Sequence, residues 1–176
     1  MRQHVIAFLV ENKPGVLGKI THMFRRRNFN IESISVGVSE VKGFSRITVA
    51  LYGDDWLVEQ VIKQLKKIIE VVRVTRLDLA DSVIRELVLI KVNVSSPTTR
   101  EEIMQYVKVF RAAVVDIEPN SIIIEITGDS DKVNAFIDLM RNFGIKELSR
   151  TGITALSRGK RSLNFLDEKS EKNNSN

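Results

Sequence analysis

The sequence predicts an α+β fold made of two βαββαβ units in tandem. Three observations carry this. Apolar periodicity alternates between that of a strand and that of a helix in the same order twice. Capping residues stand ahead of the helical stripes. A polar joint, Asp78 to Arg85, separates the two passages.

Residues 4–11 read as a strand and 14–27 as a helix, with Val16, Leu17, Ile20 and Phe24 on one face. Strands follow at 31–39 and 44–52; in the second, Ile47, Val49 and Leu51 alternate with Arg46, Thr48 and Ala50. Asp54-Asp55 caps a helix to about Ile69, striped by Val58, Val61, Ile62, Leu65 and Ile68, and 71–77 closes the unit. Trp56, at the start of that helix, is expected to be a packing anchor. The plan then repeats. Residues 86–94 are a strand, and Thr98-Thr99-Arg100-Glu101-Glu102 offers overlapping capping boxes for a helix with Ile103, Val107 and Phe110 inward. Strands 112–117 and 122–128 flank the turn Glu118-Pro119-Asn120-Ser121. A helix from Ser130 carries Val133, Phe136, Ile137 and Met140 and stops at Gly144, and 145–156 reads as one closing strand. Domains are therefore expected at 1–78 and 79–160, with 161–176 a polar, unstructured tail.

This order is the ferredoxin-like arrangement, four antiparallel strands with both helices on one face. The first strand is apolar on both faces: Val5, Ala7 and Leu9 on one, Ile6, Phe8 and Val10 on the other. Both faces must be covered. In 31–38, Ser33, Ser35 and Gly37 are small enough to admit another chain, so docking on a second copy or another protein is expected.

Composition is that of a soluble globular chain, 43% apolar and 28% charged. No apolar run reaches the roughly 20 residues of a membrane span, and the N-terminus lacks a signal-peptide pattern. The absence of cysteine removes disulfides, thiolate metal sites and a Cys nucleophile, and fits a cytoplasmic location. The net charge of +5 is spread over helix ends such as Arg25 to Arg27 and Lys66-Lys67, where cations complement the dipole. Lys42-Gly43-Phe44-Ser45-Arg46-Ile47 starts like an RNA-recognition motif but lacks the stacking aromatics at Arg46 and Val49. His4 and His22 have no ligand-spaced partners, and the Asp pairs sit at helix starts as caps. Neither a nucleophile elbow nor a Gly-rich phosphate loop is present, so no catalytic site and no metal site is expected.

One segment does point to a ligand. Asn12-Lys13-Pro14-Gly15-Val16-Leu17-Gly18 joins a strand to a helix, and Pro14 suits a first helical turn. The amides of Gly15, Val16 and Leu17 then lack intrahelical acceptors, a cradle for a small carboxylate that Gly15 leaves open.

Several segments together resemble the small regulatory subunit of acetolactate synthase (acetohydroxyacid synthase), whose first domain is an ACT domain. They are Phe8-Leu9-Val10-Glu11-Asn12-Lys13-Pro14-Gly15-Val16-Leu17, Phe29-Asn30-Ile31-Glu32-Ser33-Ile34, Ser45-Arg46-Ile47-Thr48, Glu59 to Leu65, Arg85-Glu86-Leu87 and Arg150-Thr151-Gly152-Ile153 through Gly159. The resemblance implies a non-catalytic subunit in branched-chain amino-acid biosynthesis. It would activate the large catalytic subunit and confer feedback inhibition by a branched-chain amino acid, usually valine. Thiamine diphosphate, Mg and FAD would belong to that partner, and this chain would carry no cofactor. ACT domains of the family pair side by side, implying a homodimer with effector at the pairing interface. The family's effector residues fall on Asn12 and Gly15, and its interface asparagine on Asn30. The amides of Gly15, Val16 and Leu17 would then hold the effector carboxylate. Asn12, with Asn30 of the partner chain, would accept from the ammonium, and Ile31 would enclose the aliphatic tail. The second domain would add contact with the catalytic subunit. Asn28 stands where the family commonly has Gly; Asn tolerates the left-handed backbone that this turn requires. Two other readings are a stand-alone amino-acid-sensing ACT regulator and a small acyl-phosphate hydrolase. For the first no helix-turn-helix pattern is seen, and for the second no Arg/Asn anion loop.

Overall fold

A computed structural model describes residues 2–160, 162 and 163. Along the chain run β1 (Arg2–Glu11), α1 (Val16–Arg26), β2 (Ser33–Val38), β3 (Phe44–Gly53), α2 (Asp55–Leu65), β4 (Val71–Leu77), β5 (Ser82–Asn93), α3 (Pro97–Val109), β6 (Ala113–Glu118), β7 (Ser121–Gly128), α4 (Ser130–Arg141), β8 (Ile145–Arg150) and β9 (Thr154–Ser157). The strand orders, β2-β3-β1-β4 and β6-β7-β5-β8, are the same path taken twice, and the pairings along both are antiparallel. Both predicted βαββαβ units are present.

In the first unit Ile6, Phe8 and Val10 of β1 pack with Ile47, Val49 and Leu51 of β3 under Val16, Ile20 and Phe24 of α1 and Val58, Val61 and Leu65 of α2. Each such fully buried side chain contributes about 1.5–3 kcal/mol. The second core repeats this with Val88, Ile90 and Val92 under Ile103, Val107, Val133, Phe136 and Met140. Asp54 caps α2 by accepting from the Leu57 amide at 2.8 Å. Asp54→Ala is expected to lower stability by about 1 kcal/mol in urea denaturation, with the fold unchanged.

Register defines the other face of the first sheet. Val5 pairs with Ala50, Ala7 with Thr48 and Leu9 with Arg46. Ser33, Ser35 and Gly37 pair with those same three β3 residues. Cross-strand partners point to the same side, so all nine residues share the face away from the helices.

That face differs from expectation. Residues 145–156 are not one strand. The chain breaks after β8 at Thr151, Gly152 takes a left-handed φ of 80°, and β9 follows. The compact units accordingly divide away from the expected 78/79 boundary. One comprises the chain up to Val83 together with the described residues from Ile153 onward; the other is Ile84–Gly152. Val5, Ala7, Leu9, Thr48 and Ala50 are buried within a single chain. The doubly apolar β1 therefore does not require a second copy to cover it, and the close approach to Ser33 and Ser35 is made by the chain itself.

Three smaller corrections have local causes. α1 starts at Val16, after the N-cap Gly15, so Pro14 lies in the preceding turn. Ser96 caps α3 and Pro97 stands at its first position, which moves the start ahead of the Thr98-Thr99 pair. Trp56 is 67% exposed; it lies two residues before Val58, about 200° around α2 from the buried stripe. Of the tail 161–176, only Ser162 and Leu163 are within the described residues, and Leu163 is buried.

Candidate functional site

The β1–α1 turn is built around Gly15. Its φ of 83° is open to glycine and costly to a residue with a Cβ, and an added Cβ would meet nothing within 4 Å. The turn is held from below: the Asn12 amide donates to Gly43 O at 2.8 Å and the Lys13 amide to Glu11 O at 3.0 Å. Asn12 and Gly15 are exposed, and Leu17 is 44% exposed at the lip, off the buried stripe of Val16, Ile20 and Phe24.

The amides fall out slightly differently from the sequence-based expectation. Val16 donates to Lys13 O at 3.3 Å and buries its side chain in the core. Those of Gly15, Leu17 and Gly18 meet no acceptor among the described residues. The open donors are thus Gly15, Leu17 and Gly18, with Val16 engaged in the turn. They carry the positive end of the α1 dipole.

Neighbouring lysines are already paired. Lys13 lies 2.6 Å from Glu11, whose carboxylate raises the pKa of the ammonium. Lys19 bonds Glu70 and holds that carboxyl below its usual range. Both lysines are largely exposed and their glutamate partners half-buried, so each pair is a surface pair of modest strength. The open donors of this turn are therefore backbone amides, while both neighbouring ammonium groups are engaged.

Asn30 and Ile31 stand elsewhere in the chain. After α1 the chain turns through Asn28 at φ 55°, the left-handed conformation expected there, and Phe29 packs edge-on against Phe24 with ring centroids 6.3 Å apart. Asn30 is exposed and Ile31 half-buried against the core. The 11 residues of α1 put about 16 Å between this corner and the Gly15 turn. One chain does not bring the six candidate residues together: Asn12, Gly15, Val16 and Leu17 stand at one end of α1, Asn30 and Ile31 at the other.

Between them runs β2, an edge strand with one row of backbone groups not paired within its sheet. Ser33, Ile34 and Ser35 are half-buried, whereas Val36 is 49% and Val38 81% exposed. Among the described residues no group of three or more His, Asp or Glu could hold a metal ion, and no helix is long and apolar enough to cross a membrane.

A βαββαβ unit with an open glycine turn ahead of its first helix belongs to the ACT class, and residues 6–73 match the family model described as an AHAS small subunit-like ACT domain. Residues 85–159 match the model described as the small subunit of acetolactate synthase. A probable acetolactate synthase small subunit of Archaeoglobus fulgidus is 55% identical over 157 residues, 89% of this chain and 98% of the relative. That of Methanothermobacter thermautotrophicus is 51% identical over 160 residues, 91% and 95% of the two chains. The crystal structure of the acetolactate synthase small subunit from Thermotoga maritima superposes with a TM-score of 0.86 at 44% identity, covering 92% of this chain and all of that one. The chain belongs to the acetolactate synthase small-subunit family.

The motifs behind that assignment play different parts. Glu86 and Arg150, from the segments that open and close the second domain, form a bidentate ion pair: Arg150 Nη2 is 2.6 Å from Glu86 Oε1 and Nε bonds the other oxygen. Thr151 bonds Leu87 through its amide at 3.1 Å, and its hydroxyl accepts from the Leu87 amide at 3.1 Å. Arg-Thr-Gly is thus a clasp and a turn, a role that periodicity does not reveal. A signal was present in the lone Gly152 inside an otherwise strand-like run.

Proposed function

We propose that this chain is a non-catalytic regulatory subunit. It activates the thiamine-diphosphate-dependent catalytic subunit of acetolactate synthase and makes it sensitive to a branched-chain amino acid, valine being the leading candidate. Family membership supports the first part. The observation that carries the second is the Gly15 turn, with open amides at one end of α1 and Asn30-Ile31 at the other.

Two copies joined along β2 would complete the site. Asn12 sits beside Gly43, at the β2–β3 hairpin and hence level with the end of β2. An antiparallel partner strand would bring its own beginning, with its Asn30 and Ile31, to that level. The exposed Val36, Val38 and Leu17 supply apolar surface for such a junction. The open amides then take the carboxylate, the amide oxygens of Asn12 and of the partner's asparagine take the ammonium, and Ile31 with the exposed apolar side chains takes the aliphatic tail. Because the ligand touches both chains, binding biases how they dock, and couplings of about 1–3 kcal/mol to a distant enzyme are typical. A pocket of this kind separates ligands differing by one methylene by only ~1–3 kcal/mol. A cytoplasmic setting accompanies this role.

Co-purification with the cognate catalytic subunit, followed by an activity assay with and without this chain, tests the assignment. The chain alone is expected to be inactive and the mixture more active than the catalytic subunit alone; failure to associate refutes it. Calorimetric titration with valine, leucine and isoleucine tests the effector role.

A further inference from the structure

We propose that residues 153–157 form a strap that fixes the position of β2, with Ser33 and Ser35 as positioning residues for the amino-acid site. The proposal rests on the effector reading above only for its functional consequence.

Four polar contacts place the strap. The Ile153 amide donates to Ser33 Oγ at 3.3 Å, and Ser35 Oγ donates to Ile153 O at 2.8 Å. One residue of β9, Ala155, thereby comes over β3: Arg46 Nη2 donates to Ala155 O at 2.8 Å. Farther on, the Arg158 amide donates to Asp81 O at 2.9 Å, just past β4. With the strand order β2-β3-β1-β4, these anchors carry the strap across β1, whose Val5, Ala7 and Leu9 face that side and are buried. Ile153 and Ala155 are themselves 4% and 3% exposed.

The strap secures half of an edge strand. Ser33 and Ser35 lie two and four residues beyond Ile31, in the half-buried part of β2, and burial falls away beyond them at Val36–Val38. Within a single chain β2 is paired on one side only, so contacts on its open face add to those of β3 in holding it. Arg46 reinforces the point. Burial lowers its pKa, its Nε is buried without a partner among the described residues, and its Nη2 donates to the strap carbonyl. The strap carbonyl, together with the charge of Glu40, offsets part of the cost of burying this cation. In sequence the strap follows directly on Arg150-Thr151-Gly152.

The test uses the full chain with Ser33→Ala and Ser35→Ala combined, Ser35→Ala alone should the double variant fail to fold, and Ser35→Thr as the conservative control. Hydrogen exchange is followed over 33–38 and over the α2 amides as an internal reference, alongside calorimetric titration with valine, leucine and isoleucine. Exchange in 33–38 is expected to accelerate roughly tenfold with α2 unchanged, and the Kd of the effector to rise about fivefold to tenfold, with Ser35→Thr near wild type. Unchanged exchange in 33–38 overturns the proposal, as does an equal acceleration in α2, which would mark a merely structural cover. If the wild-type chain binds none of the three amino acids, the effector reading fails, and the exchange comparison still decides whether the strap positions β2.

Discussion

Gly15→Asp is expected to abolish inhibition by the branched-chain effector while leaving activation of the catalytic subunit in place. Two effects act at one position. The new carboxylate would sit over the open amides of Leu17 and Gly18, taking the donors the effector's own carboxylate needs and repelling it. A hydrogen bond to a charged group is worth about 1.5–3 kcal/mol, so losing two weakens binding by roughly 100-fold or more. The backbone consequence is smaller: φ of 83° disfavours a residue with a Cβ by about 1 kcal/mol, and Asp is among those that tolerate it best. An added Cβ has open space, so the core under Val16 is undisturbed. Gly15→Asn, with the same shape and no charge, separates the effects and is expected to retain part of the response. Valine titration by calorimetry and by inhibition of the reconstituted enzyme reads both variants. Undiminished inhibition in Gly15→Asp would place the effector elsewhere.

What could be read from the residues alone was whatever local chemistry decides. The stripe Val133, Phe136, Ile137, Met140 is buried as its period requires, and Asn28 takes the left-handed turn that its side chain permits. The Gly15 turn was legible because a strand ending in Asn-x-Pro-Gly has few conformations open to it. What was lost depends on contacts distant in sequence. Ile153 leaves the line of β8 because Thr151 is fastened to Leu87 and because Ser33 and Ser35, about 120 positions earlier, accept and donate to it. Periodicity carries no trace of such a pairing, so 145–156 looks like one strand. The apolar phase of Val5, Ala7 and Leu9 was read correctly as a face needing cover; its cover was assigned to a neighbour when the chain supplies it. Likewise the six candidate residues could be named singly, but their division between opposite ends of α1 is a matter of geometry.

Removing the clasp cation is expected to cost far more stability than removing the Asp54 cap. Arg150→Met leaves the Glu86 carboxylate, 2% exposed, without its bidentate partner. Breaking a buried pair from one side costs on the order of 3 kcal/mol, since a charge remains that has lost both water and counterion. The double variant Glu86→Met with Arg150→Met is expected to regain most of that loss, because no charge is left stranded. The pH dependence separates this account from simple loss of packing. In the native chain burial pushes the Glu86 carboxyl up, and the Arg150 guanidinium and Ser130 hydroxyl outweigh it, so its folded pKa lies below the ordinary carboxylate value despite Asp129 nearby. A depressed carboxyl contributes its stability above the unfolded pKa of about 4.3 and loses it as pH falls through the lower folded value. Wild type should therefore be level in this contribution from pH 7 to 5 and weaken below about pH 4. In Arg150→Met burial acts unopposed by the guanidinium, the folded pKa rises above the unfolded one, and the penalty is greatest at neutral pH. That variant should close part of its gap to wild type between pH 7 and 5, where wild type is unchanged. Urea denaturation at several pH values measures the gap directly; a constant difference across that range would mean that Arg150 acts through its packed methylenes, with Glu86 finding other partners.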